Sequence, residues 1–142
     1  MLGHALAVSY DSRTPVIVGA AQVTDRIEDP TAARTPLELM VDAVRSAAVD
    51  TGTATVMQGL DVIAVVGGLW SYPDPGRQIA QRVGADSTAT LLTEFSGHIP
   101  QALVNDIAGR IQSGDLSSAV VCGGEANRTG RRARRTGAER RR

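Results

Sequence analysis

The stretch from Thr88 to Ala126, TATLLTEFSGHIPQALVNDIAGRIQSGDLSSAVVCGGEA, constrains the rest of the chain more than any other. Thr88–Thr93 is short, rich in threonine and leucine, and reads as a strand. Phe95-Ser96-Gly97-His98 is a turn, and Pro100 falls in the first turn of a helix, where a missing N–H costs nothing. Ile99, Leu103, Ile107 and Ile111 then recur every four residues with Ala102 and Ala108 beside them, giving one apolar stripe on that helix. Gly114 supplies its stop. Ser118–Cys122 is a short apolar run of the kind found in strands buried on both faces. A β-α-β crossover brings the first strand's end, the turn and the helix N-terminus to one point. Backbone N–H groups and the positive end of the helix dipole converge there. Chemistry is therefore expected at Ser96-Gly97-His98.

The segments before it repeat the alternation. Pro15–Val23, PVIVGAAQV, is a continuous apolar run and predicts a central parallel strand. Thr35-Pro36-Leu37-Glu38 predicts a capping box with proline at the first helical position. Leu37, Val41, Val44 and Ala48 give that helix its buried stripe, and Gly52 ends it. Leu60–Val66 predicts the next strand, closed by Gly67-Gly68. The loop Leu69–Gly76 carries Trp70 and Tyr72, after which Asp74 caps and Pro75 opens a helix that runs to Gly84. The order β-α-β-α-β-α-β predicts an α/β fold with a mixed, mainly parallel sheet and helices on both faces.

Charge divides the chain. Its net charge is zero, but residues 1–127 hold seven arginines against fourteen acids, and residues 128–142 hold eight arginines against Glu139. There is no lysine. The expected organisation is a loose arm over residues 1–13, a domain over 14–127, and an arginine-rich tail over 128–142. That tail is read as truncated or disordered. It has no aromatic residue to stack on bases, so truncation is favoured over a nucleic-acid arm. A single cysteine excludes an internal disulfide and fits a reducing compartment. With no basic leader and no run of about 20 apolar residues, the expected location is the cytoplasm, without membrane insertion.

A strand, a small-residue turn, Gln101-Ala102, a helix ending in Ser113-Gly114-Asp115, and a strand closing in Gly123-Gly124-Glu125 together resemble the N-terminal half of a thiolase. The branch it is most similar to is the sterol-carrier-protein-type, acetyl-CoA acetyltransferase-like one. The resemblance implies one half of a five-layer αβαβα arrangement and a place in lipid metabolism. It implies a coenzyme A thioester as substrate, with no tightly bound cofactor and no metal. In active thiolases the turn carries a nucleophilic cysteine, five residues before the glutamine of the Gln-Ala pair. Here that position is Ser96. The resemblance also implies that Thr88–Thr93 pairs across a two-fold axis, making a homodimer or a hetero-oligomer.

Ser96 and His98 are the candidate catalytic residues. His98 is the nearest base, but two residues along the chain is a tight distance over which to turn back. Cys122 is read as a small buried hydrophobe and the two Gly-Gly pairs as structural. The expected function is a thiolase-type acyltransferase represented by an N-terminal half that is inactive alone. The alternatives are a lineage that cleaves carbon–carbon bonds in acyl-CoA without a cysteine, and a non-catalytic subunit completed by another chain.

Overall fold

The structure, a computed structural model, describes residues 11–53 and 55–137. All but the last three residues of the expected N-terminal arm lie outside these, as does the tail beyond Gly137. Three strands form one parallel sheet: β1 (Val62–Val65), β2 (Ala89–Leu92) and β3 (Ala119–Cys122). Their order is β2-β1-β3, with Val62 opposite both Ala89 and Ala119. Four helices accompany them: α1 (Pro36–Asp50), α2 (Pro75–Val83), α3 (Ile99–Ser113) and α4 (Asn127–Thr136).

Local chemistry explains where the helices begin and end. The Thr35 hydroxyl accepts from the Glu38 N–H at 3.2 Å while a Glu38 carboxylate oxygen accepts from the Thr35 N–H at 2.7 Å. This is the expected capping box, and it satisfies two helix-end donors. Asp74 accepts from the Arg77 N–H at 2.8 Å ahead of Pro75. Gly84 and Gly114 stop α2 and α3 in the left-handed region, at φ 76° and 87°, where other residues are strained.

Packing then follows from strand alternation. Ile63 and Val65 face α1 and α2, in a cluster with Leu37, Met40, Val44 and Ile79. Val62 and Ala64 face the other way, against Leu103 and Ile107 of α3. The result is three layers, with helices on both faces of the sheet. It arises because the β1–β2 and β2–β3 crossovers run in opposite directions along the sheet, and right-handed connections then fall on opposite faces.

One expected element is corrected. Pro15–Val23 forms no strand: it runs along the end of α1, where the Ala20 N–H donates to Asp50 Oδ2 at 2.9 Å. Its apolar side chains are not in a core, since Val16, Ile17 and Val18 are 72%, 87% and 64% exposed. The run has the composition of a buried strand but no strand beside it to pair with.

Past the expected boundary at residue 127 the chain continues as α4. Arg128 and Arg132, one helical turn apart, both reach Glu28, at 3.3 and 2.8 Å. Arg132 also donates to the Glu28 carbonyl at 3.0 Å. Among the described residues no helix is long and apolar enough to cross a membrane.

Candidate active site

The carboxyl ends of all three strands open into one crevice of about 530 Å³. Val66 and Gly67 line it after β1, Phe95, Ser96 and Gly97 after β2, and Cys122 to Glu125 at the end of β3. Pro100 and Val104 of α3 complete the wall. Adjacent parallel strands whose connections leave to opposite faces open such crevices at their carboxyl ends. A larger cavity of about 550 Å³ lies at the amino ends of the strands and does not touch Ser96 or His98.

The Ser96 hydroxyl lies 2.9 Å from His98 Nδ1. The two-residue separation expected to keep them apart is bridged because His98 is the residue before α3 and holds helical φ and ψ of −91° and −16°. That bend swings its ring back over the turn. Ser96 is half-buried and His98 exposed. With Nδ1 unprotonated, the hydroxyl donates to it in the arrangement of a nucleophile and base. Among the described residues no carboxylate bonds the imidazole, so no third group fixes its tautomer. The N-terminus of α3 adds a partial positive charge at the same point.

Cys122 stands on the same wall. Burial pushes its thiol up to about 12, so the sulfur is a protonated wall group at neutral pH rather than a nucleophile.

The glycine pairs are set by close approach. A Cβ on Gly67 would meet the Thr93 carbonyl oxygen at 2.4 Å, and one on Gly124 would meet Met40 Cγ at 2.8 Å. Sequence reasoning did not find what ties the loops together. Trp70 Nε1 donates to the Gly124 carbonyl at 2.9 Å, and the Leu69 N–H donates to Glu125 Oε1 at 2.5 Å. These bonds join the loop after β1 to the loop after β3 and hold the crevice mouth. Tyr72 packs beside Trp70, with ring centroids 5.1 Å apart. Trp70 and Tyr72, half of the four aromatics, in one loop were the available signal.

At the opposite ends of the strands, Asp61 accepts from the Ser117 and Ser118 N–H groups at 2.6 and 3.0 Å. The Ser117 N–H first, then that of Ser118, holds its carboxyl below the usual range. This fixes the start of β3 against β1.

No protein-family model and no curated protein matches the sequence. Solved structures do. A monomeric SCP2-thiolase-like protein type 1 from Mycobacterium smegmatis matches with a TM-score of 0.71 and 30% identity, over 82% of this chain. A cysteine-to-serine form of Xanthomonas campestris OleA, solved with lauric acid and lauroyl-CoA, matches with a TM-score of 0.58 and 16% identity, over 68% of this chain. The chain spans 24% of the first protein's length and 31% of the second's. By fold, this chain is a half domain of the thiolase-like type.

Proposed function

We propose that the chain is a thiolase-like acyl-CoA module whose crevice receives the thioester end of the ligand, and that it transfers little or no acyl group by itself. The observation that carries this reading is the convergence of three strand ends, the start of α3 and Ser96, whose hydroxyl contacts His98, on one crevice. The lauroyl-CoA-bound neighbour supports the ligand class by fold.

Acyl transfer needs a strong nucleophile, a base to accept its proton and an acid for the departing thiolate. Ser96 offers a hydroxyl, intrinsically weaker than a thiolate. His98 is in contact but exposed and unoriented. Glu125 is engaged by Leu69, and Cys122 stays protonated. Incubation with acetyl-CoA is therefore expected to leave the intact mass unchanged. An acetyl increment mapped to Ser96 would overturn inactivity. Ser96→Cys is expected to show no turnover either, because no second acid–base group among the described residues faces the crevice free to act.

The β2 edge supports an association reading. Leu91 packs towards α3, whereas Leu92 is 46% exposed on a strand with one open side. We propose that the chain self-associates through Thr88–Thr93. The mycobacterial protein is described as monomeric, so the fold alone does not compel this. Leu92→Lys is expected to shift sedimentation towards monomer without loss of helix content. A wild-type chain that is already monomeric at micromolar concentration would refute the contact.

A further inference from the structure

We propose that the outward face of α4 binds the phosphate backbone of duplex DNA without reading its sequence. No residue of α4 lines the crevice, and the proposal does not rest on the acyl-CoA reading.

The ten residues of α4, NRTGRRARRT, hold five arginines and no acid. Helix geometry sorts them by face. At about 100° per residue, Arg131 and Arg135 lie one turn apart, on either side of the direction opposite Ala133. Ala133 is 4% exposed and marks the side packed on the fold. Thr129 and Gly130 share that side and are half-buried, whereas Arg131, Arg134 and Arg135 are exposed. Small residues bring the helix close to the body, and its charge is turned outward.

The arginines fall into two sets. Arg128 and Arg132 are paired with Glu28, which fixes α4 against the segment before α1. Among the described residues no carboxylate pairs with Arg131, Arg134 or Arg135. Like charges three and four residues apart repel one another along a helix. A row of anions opposite them relieves that repulsion, and the planar guanidinium fork matches phosphate bidentately.

The face selects among polyanions. It has no aromatic side chain on which the unpaired bases of a single strand could stack. Its one apolar side chain, Ala133, is buried, so nothing apolar is free to enter a lipid headgroup layer. A duplex backbone asks only for outward cations. Residues 1–127 hold seven arginines against fourteen acids, so the body repels the same polyanion and confines its contact to α4.

The test is fluorescence anisotropy of the full chain with two labelled DNA duplexes of unrelated sequence, each titrated across a range of salt. Each neutralised phosphate contributes about −0.9 to the slope of log K against log salt. Joint replacement Arg131→Gln, Arg134→Gln and Arg135→Gln is therefore expected to make the slope shallower by about 2.7, with helix content unchanged by circular dichroism. The corresponding Arg→Lys replacements at the same three positions keep the charge and should keep the slope. Both duplexes are expected to bind alike. No binding at low salt, an unchanged slope in the glutamine variant, or preference for one duplex would each overturn the proposal. Tighter binding of the single strand, or binding of phosphatidylserine vesicles in place of the duplex, would do the same. So would displacement of the duplex by coenzyme A, which would assign the arginines of α4 to the nucleotide of the acyl-CoA ligand.

Discussion

Ile63→Ala is expected to destabilise the fold by about 2–5 kcal/mol, towards the upper end of that range. Ile63 is fully buried in β1, the central strand, and packs on the face shared by α1 and α2. The cost of truncating a core residue depends on how far its surroundings can collapse. Here β1 is held by β2 on one edge and β3 on the other, in register along all four residues, so the backbone cannot close the void. A domain of this size is stable by roughly 5–15 kcal/mol, so the loss takes a large share of the total. Urea unfolding should show a lower midpoint with an unchanged slope. The reference variant is Val121→Ala, on the edge strand and 36% exposed, where a change within about 1 kcal/mol is expected. Equal shifts in the two variants would show that β1 is not the central strand.

The parts of the fold legible in the sequence are those decided within a few residues. Thr35 and Glu38 find each other across one helical turn, and Asp74 reaches Arg77 likewise. Gly84 and Gly114 mark helix ends because their backbone needs positive φ. The place of the Ser96–His98 turn was legible for the same reason, since a crossover must put it at a strand end. Pro15–Val23 failed because composition reports what a segment suits, whereas a strand also needs a neighbour at hydrogen-bonding distance. The Ser96–His98 contact was not legible because it depends on the φ and ψ of one residue, His98. The crevice brace was hidden for a third reason. Trp70 to Gly124 and Leu69 to Glu125 span 54 and 56 residues, and no local pattern encodes such pairs. The Arg128–Glu28 pair, 100 residues apart, is equally non-local.

Cys122 is expected to react slowly with thiol reagents in the folded chain and rapidly in denaturant. Its side chain packs on the β3 face turned towards α1 and α2, and desolvation raises the thiol from 9.0 to about 12. Three units lower the thiolate share near neutral pH by about a thousandfold, but a more basic thiolate is intrinsically more nucleophilic, with a Brønsted slope of about 0.4–0.5. The two effects together leave roughly a 30–60-fold slowing, before any steric obstruction by the crevice wall. Equal labelling rates with and without denaturant would remove Cys122 from the sheet. The same shift sets a pH dependence. Between about 9 and about 12 the folded state keeps a proton that the unfolded state has released. The unfolded state binds fewer protons in that window, so this group's contribution to stability is intact below pH 9 and is lost as pH rises through it. The thermal midpoint of the wild-type chain should therefore fall more steeply above pH 9 than that of Cys122→Ala. Parallel curves for the two proteins would mean that the thiol titrates alike folded and unfolded, and that the wall of the crevice at β3 is open to water.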